Sequence, residues 1–495
     1  MTVRWRSPRA DIVGTHFQEA ILGMDWRTIT VGEWRNMKYW GMEWHDDILD
    51  LHKKYGRIVR VAPNELSVVH PDGLKQLFSF RSNTEKTEWY HTWEILAGVE
   101  VPSLFPGQDK KVHSFLRKRV AAAYSMSTVL RTEKHIQSCM DLLWRQLKKH
   151  ADTGHPVDMS NWTSYLAYDV VGELAFGEKF GSLESETDVM DLVKNSLGVN
   201  FMIANIGHYP GQAWLVKNWV FETVMKWCGN KSPIEDFFTW TSRAVQDRMS
   251  DKALSKRHDM LSYFIDMKDV NGNPANFREI LLETHNIVGA GADTTSIGLR
   301  AALYFTCTRP IVYAKLQAEI DQYYDTRGLS GHITYTQTQE LPYLKAVVKE
   351  ALRLFPSISY QLLRKAPENM VIDGNVIPAG ASVGISPRAQ NRDPAVWGED
   401  AEEFRPERWL EDPSKVSRMD EMSMTFGGNG PRVCMGKNIA LVEIFLFLAQ
   451  LLRNFNLEFA SPDKPWRVET YWLSFQFDML MYLTKRECMN LKDVD

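Results

Sequence analysis

Apolar positions fall at helical spacing over most of the chain and at strand spacing in a few short stretches. The pattern becomes regular from about Glu43. Asp46 to Tyr55 alternates as a helix that closes at Gly56. The runs RIVRVAP and ELSVVH flank a turn at Pro63-Asn64 and predict a hairpin of two short strands. Helical spacing then dominates to about Arg353. Within it, Asn271, Gly272, Asn273 and Pro274 break the chain ahead of a long helix, roughly Phe277 to Thr308, which Arg309-Pro310 stops. After Pro356 short strands and turns take over, as in VIDGNVIPAGASVGI, and Trp472 to Thr484 predicts a closing strand pair. Ile439 to Leu452 is apolar but short and holds Glu443, so it predicts a buried helix and not a membrane span. No repeat, low-complexity linker or sharp shift of composition divides the chain. One mainly α domain with a minor β region is predicted.

Composition narrows the function classes. The 495 residues carry a formal net charge of −4 and no long basic run, which argues against a nucleic-acid partner. Five cysteines (Cys139, Cys228, Cys307, Cys434 and Cys488) lie far apart, with no close pair and no zinc spacing; this is the usage of a reducing compartment. Met1 to Trp40 contains neither an apolar run of about 18 residues nor a signal-peptide core, so no anchor is readable there.

The chemistry concentrates in FGGNGPRVCMGKNIA, Phe426 to Ala440. Gly427, Gly428 and Gly430 allow a tight turn and close approach to a flat ligand. Arg432 adds a cation two residues before Cys434. The helix that begins near Gly436 points its positive end at the sulfur and favours thiolate, the form that ligates metals or attacks electrophiles. On the long helix, AGADTT (Ala290 to Thr295) puts Ile287, Gly291, Thr294 and Gly298 on one small-residue face. Glycine inside a helix costs roughly 1 kcal/mol. Close approach of a flat cofactor or a tight helix crossing would each offset that. Asp293 beside Thr294 supplies an acid and a hydroxyl able to relay protons. KEALRLFP spaces Glu350 and Arg353 as a helical ion pair, and FRPERWL contributes Arg408. HSFLR places His113 and Arg117 on one helical face, and Arg364 follows in the strand region.

In phase, Gly430, Arg432, Cys434 and Gly436 resemble the haem-binding loop of the cytochrome P-450 superfamily, the haem-thiolate monooxygenases. Phe426 lies one residue earlier than that pattern has it, so Gly427 takes the aromatic position; a one-residue bulge would restore the ring. AGADTT resembles the family's oxygen-activating motif, and Glu350-x-x-Arg353 its invariant ion pair. The phrases LHKKYGRIVRVAPNELSV and HSFLRKRVAAAYS resemble filamentous-fungal members near the pisatin demethylase type.

The resemblance covers about Glu43 to Arg486. It implies an N-terminal segment 1–42, a haem domain 43–486 and a tail 487–495. A long central helix would lie over the haem and a Cys loop beneath it. It further implies haem b on an axial Cys434 thiolate. Gly430, Gly436 and Gly291 would lie close to the cofactor, and Arg117, Arg364, Arg432 and His113 would meet its propionates. Thr294 and Asp293 would relay protons, and Glu350, Arg353 and Arg408 would form a buried cluster that locks the loop. Asn391 stands where relatives often have His, with little consequence expected. The reaction implied is insertion of one atom of O2 into an apolar small molecule, as a tailoring step in secondary metabolism. Electrons would come from an NADPH–cytochrome reductase docking near Lys437, because the chain has no dinucleotide or flavin motif. A monomer at the cytosolic face of the endoplasmic reticulum is expected, with a soluble protein as the alternative. Val101 to Phe105, Phe201 to Asn205, Ser357 to Leu362 and Trp472 to Phe475 are candidate pocket segments. Two other readings are a haem-thiolate isomerase or dehydratase using no O2, against which Asp293 and Thr294 argue, and a haem-binding protein without turnover.

Overall fold

The computed structural model describes residues 33–96, 102–209, 223, 235–250 and 257–487. Cys228, Cys488 and the outer parts of the two expected terminal segments lie outside the described residues. Helices α1 (Glu33–Trp40) and α2 (Trp44–Tyr55) lead into the antiparallel hairpin β1 (Ile58–Ala62) and β2 (Glu65–Val68). Then come α3 (Pro71–Phe78), β3 (Glu85–Lys86), α4 (Lys110–Val120), α5 (Met126–Thr153), α6 (Met159–Ala175) and α7 (Leu192–Ile206). The second half contains α8 (Phe277–Cys307), α9 (Pro310–Arg327), α10 (Pro342–Leu354), β4 (Arg364–Lys365), β5 (Ser382–Gly384) and α11 (Lys437–Asn454). It closes with β6 (Phe455–Phe459), β7 (Arg467–Tyr471), β8 (Leu473–Phe477) and β9 (Leu480–Lys485). Among the described residues no helix is long and apolar enough to cross a membrane.

The main sheet runs in the order β1-β2-β5-β4-β3. It draws together strands more than 300 residues apart in sequence, since Ser67 of β2 pairs with Gly384 of β5. The strand pair expected over Trp472 to Thr484 does not form. β8 pairs with β7, whereas β9 pairs with β6. Asp478, at φ 66 between them, turns the chain from one sheet into the other. α1 falls within the segment set apart on sequence grounds, and it is integral to the fold. Its Tyr39 is buried and stacks on Tyr360 at 3.9 Å, and its Arg35 ion-pairs with Glu65.

At the centre lies α8. A capping box starts it: the Asn276 side chain accepts from the Glu279 N–H, and the Glu279 carboxylate accepts from the Asn276 N–H. Pro310 opens the next helix two residues after Thr308 caps this one. The small residues of α8 divide between two roles. A Cβ on Gly298 would come within 2.8 Å of Ile444 on α11 and 3.2 Å of Leu352 on α10. A Cβ on Gly291 would meet Val171 of α6 at 3.2 Å. Both glycines therefore serve helix crossings. The Cβ direction of Gly291 is toward α6, while part of the residue stays open beside Ala290. The most open stretch is Gly289–Ala290, between buried Val288 and partly open Gly291, and a Cβ on Gly289 would meet nothing within 4 Å.

A buried charge cluster ties α10 to the chain leading into the Cys loop. The Glu350 carboxylate accepts from Arg353 Nε and Nη2, each at 2.8 Å, and from Arg408 Nε at 2.8 Å. Trp409 Nε1 at 2.9 Å and the Arg405 N–H at 3.0 Å complete its shell. Burial alone would push this carboxyl up; the hydrogen bonds and charges of Arg353 and Arg408 outweigh it and hold it below the usual range. Arg353 Nη1 also donates to the carbonyls of Asn391 and Ala401, each at 2.7 Å. Asn391 carries the link onward. Its Nδ2 donates to the Arg353 carbonyl and to Thr425 Oγ1, each at 3.2 Å, and its Oδ1 accepts from the Met424 N–H at 2.8 Å. The side chain set aside in the sequence is thus the joint between the cluster and the residue pair before Phe426.

Arg353→Met takes two of the five hydrogen bonds from the buried Glu350 carboxylate and leaves three carbonyls, of Asn391, Ala401 and Glu403, without that donor. It should lower stability by about 3–5 kcal/mol, read as a lower denaturant midpoint. A midpoint matching that of the unaltered protein would show that the cluster does not hold the fold.

Candidate active site

The Cys loop is built by glycines whose reasons differ. Gly427 and Gly428 sit at φ 82 and 81, a left-handed tandem that absorbs the extra residue between Phe426 and Gly430. Because of it, the Cys434 N–H still reaches the Phe426 carbonyl at 3.0 Å. Gly430 is packed flat on α3: a Cβ there would lie 1.6 Å from the Phe78 carbonyl oxygen. A Cβ on Gly436 would sit 4.0 Å from Cys434 Sγ. The first N–H groups of α11, on Gly436 and Lys437, point at that sulfur.

Cys434 is set deep in the protein and yet keeps open surface, so it faces an enclosed gap. Burial pushes its thiol above the ordinary range. The two N–H groups and the charges of Arg117 and Lys437 pull the other way and do not cancel it. The helix end favours the thiolate as expected, but burial outweighs it in the free protein; a bound cation would add to the helix end.

Two segments bridge from this loop to α8. Ser357 Oγ donates to the Thr294 carbonyl at 2.8 Å, and Leu362 lies 3.9 Å from where a Cβ on Gly427 would sit. On the other side Ser103 Oγ donates to Asn286 Oδ1 at 3.3 Å, and the Phe105 carbonyl accepts from the Lys86 ammonium. The gap thus has the Cys loop as floor, Gly289–Thr294 as roof and these segments as walls. Phe105 keeps 39% of its surface open. Of the other expected lining, Val101 lies outside the described residues. Trp472 is packed among Trp89 at 4.7 Å, Trp93 at 6.2 Å and Tyr360 at 6.3 Å, and Phe475 is buried too. Phe201 packs edge-on against Tyr471 at 5.5 Å, and Asn205 bonds back to the Phe201 carbonyl at 2.8 Å.

Thr294 and Asp293 are not brought together. Thr294 Oγ1 donates to the Ala290 carbonyl at 2.7 Å, on the open side of α8. Asp293 is turned to the opposite side, where Tyr168 Oη donates to it at 3.1 Å.

At one rim four cations gather with no carboxylate in ion-pair contact among the described residues. Arg117 Nη1 donates to the Val433 carbonyl at 2.8 Å, and Arg432 donates to the carbonyls of Gly107 and Gln108 at 2.7 and 3.0 Å. Arg364 donates to the Leu363 carbonyl at 2.8 Å and lies over the Phe78 ring. The fourth, Lys86, was not singled out in the sequence, because a two-residue strand has no periodicity to mark it. It pairs directly across the sheet with Arg364. Like charges so opposed are destabilising. Burial, with Arg364 and Arg432, pushes the Lys86 ammonium far below its ordinary range. Burial lowers the Arg432 guanidinium to about 10, and Arg364 adds to this. His113 is pushed down to about 3 by burial and by Arg432, Lys86, Arg117 and Arg364, so it is neutral at physiological pH. This excess of buried positive charge, with a sulfur facing the same gap, fits a flat metal-centred group bearing carboxylates.

Comparison with known proteins agrees with that chemistry. The model of the cytochrome P450 family matches residues 27–481. Cytochrome P450 monooxygenase gsfF of Penicillium aethiopicum is 32% identical over 450 residues, covering 88% of each chain. Cytochrome P450 monooxygenase cicH of Emericella nidulans is 33% identical over 433 residues, 86% of this chain and 85% of that one. A pisatin demethylase of Fusarium vanettenii is 31% identical over 439 residues, 86% and 83% respectively. The chain belongs to the cytochrome P450 family, whose cofactor is a haem-thiolate and whose members use O2, a redox partner and an organic substrate.

Lys86→Met removes one of the two opposed cations. It should stabilise the haem-free protein by about 1 kcal/mol and speed haem loss from the loaded protein. Thermal midpoints and haem transfer to apomyoglobin measure the two; movement of both in the opposite sense would refute the anion-site assignment.

Proposed function

We propose that this cytochrome P450, a haem-thiolate monooxygenase, holds haem b through the Cys434 thiolate, with Arg117, Arg364, Arg432 and Lys86 against its propionates. The observation that carries this is the pairing of an open sulfur at the start of α11 with four cations, two buried and two partly buried, that have no carboxylate in ion-pair contact among the described residues. His113, neutral at neutral pH, would complete the rim as a hydrogen-bonding group and not as a charge. When bound, the haem supplies O2 activation, and the thiolate's electron donation favours O–O cleavage. The remaining work falls to the chain. The open stretch at Gly289–Ala290 leaves room over the haem face. Thr294 Oγ1, on that same side, is the hydroxyl able to hold a proton or a water beside the reacting oxygen. Asp293, one residue away on the other side of α8, is the acid that would resupply it. Gly430 and Gly436 keep the loop close to α3 and to the sulfur, and Glu350, Arg353 and Arg408 hold the loop's base in register.

The substrate would be an apolar small molecule, oxidised as a tailoring step of fungal secondary metabolism; the fungal monooxygenase and demethylase relatives support this. The electron donor would be an NADPH–cytochrome P450 reductase docking on the face near Lys437, at the cytosolic surface of the endoplasmic reticulum. The protein would act as a monomer, with residues 43–486 as the haem domain, α1 of segment 1–42 packed into it, and 487–495 as a tail. Comparing the metabolites of strains with and without the gene tests the pathway role, and an unchanged profile would count against it.

Cys434→Ala should abolish the thiolate-type absorption of the reduced carbonyl complex; its persistence would mean another ligand. Thr294→Ala should keep that absorption while product formation falls at least about tenfold and peroxide release rises. Unchanged coupling would remove Thr294 from proton transfer.

A further inference from the structure

The side of α8 away from the cavity forms a polar seam. Asp293 is buried there, and among the described residues no cation lies within ion-pair distance of it. Its two oxygens are taken by hydroxyls from different helices: Tyr168 of α6 donates to Oδ1 at 3.1 Å, and Ser196 of α7 donates to Oδ2. Ser196 Oγ accepts in turn from Asn200 Nδ2 at 3.2 Å, and Asn200 Oδ1 is buried with no partner. Two turns along α8, Arg300 is also buried. Its donors are committed to Thr163 Oγ1 at 3.0 Å, the Gln476 carbonyl at 3.1 Å and Ser164 Oγ. Seam hydroxyls of α6 thus serve Arg300 at one end and Asp293 at the other.

We infer that Ser196 and Tyr168 are positioning residues for Asp293, two hydroxyl donors that hold its carboxylate against α6 and α7, so that it turns toward the Thr294 side of α8 only when one lets go. The inference rests on the reading in which Asp293 resupplies protons. Electrostatics agree with the geometry. Burial pushes the Asp293 carboxyl up, to about 6; the Ser196 and Tyr168 hydrogen bonds and the Arg300 charge oppose this, and Asp188, ahead of α7, adds to it. A carboxyl so placed exchanges its proton near physiological pH, as a shuttle requires. Both hydroxyls stabilise the charged form, so losing either should raise the proton affinity further.

The test is an infrared pH titration of the purified holoprotein, with Asp293→Asn subtracted to isolate one carboxyl band. The unaltered protein should show a midpoint near 6. Ser196→Ala and Tyr168→Phe should each raise it by about one pH unit, and Ser196→Thr should restore it. The pH profile of substrate-free, reductase-supported oxygen consumption should move in the same direction. Unmoved midpoints in both variants would overturn the inference. Should Ser196→Ala fail to fold, Tyr168→Phe, which keeps its ring, decides. Each variant should retain the thiolate-type carbonyl absorption. Absence of that absorption from the unaltered protein refutes the functional reading instead, while the infrared titration still reports on the clamp.

Discussion

The structure depends on one buried carboxylate. Glu350 accepts five hydrogen bonds, two from Arg353 and one each from Arg408, Trp409 and the Arg405 backbone. An isolated anion at such depth would cost several kcal/mol; here every lone pair is engaged, and both guanidinium groups go on to hold backbone carbonyls. Arg353 fixes the Asn391 and Ala401 carbonyls, and Arg408 fixes that of Trp397 at 2.7 Å. Asn391 then reaches Met424 and Thr425 at the foot of the Cys loop. A loop with two consecutive left-handed glycines has high conformational entropy when free. The rigid base at Glu350 and the flat contact of Gly430 on the Phe78 carbonyl leave it a single arrangement.

That fixed loop sets up an unbalanced site. Lys86 and Arg364 face each other across a strand pair, with Arg432 and Arg117 beside them, and carbonyl oxygens answer only part of their charge. Burial meanwhile keeps the free sulfur protonated, against the helix end that points at it. Both imbalances have one sense: the first calls for carboxylates, the second for a cation. A haem carries both, so on the proposed assignment the site is electrostatically complete only when loaded. The protein's stability is accordingly coupled to its cofactor by mass action.

Much of this was legible in the sequence, and what was not has identifiable physical causes. The long helix declared itself through the break at Asn271 to Pro274 and the stop at Arg309-Pro310, because breakers act locally; the capping box at its start shows only in the structure. The Cys loop was legible because its glycines, arginine and cysteine lie within eleven residues. Lys86 and Asn391 were not, since each matters through a partner hundreds or tens of residues away: Arg364 for the first, Thr425 for the second. Periodicity assigned Gly291 a face without saying which neighbour meets it: its Cβ direction meets Val171 of α6, and the most open surface falls one and two residues earlier. The terminal strands were misread as a pair because hydrophobic alternation marks strands and not partners, and Asp478 redirects the second strand to another sheet.

The direction of the acid and hydroxyl on α8 follows from the same geometry. Consecutive helical residues diverge by about 100°, so an Asp-Thr dipeptide cannot present both side chains to one cavity. Here the hydroxyl takes the open side, where Ala290 leaves its carbonyl accessible to Thr294. The carboxyl takes the closed side, where burial raises its proton affinity and hydroxyls rather than guanidinium groups restrain it. An arginine in direct contact would hold the carboxyl far below neutrality and make it a permanent anion. Hydroxyl partners leave it titratable, and keeping Arg300 at a distance, occupied by Thr163, Ser164 and the Gln476 carbonyl, preserves that state. On the proposed role of Asp293, the polar seam between α6 and α8 therefore does more than satisfy buried groups: it would keep a proton-exchanging acid one residue behind the cavity roof without exposing it to the substrate.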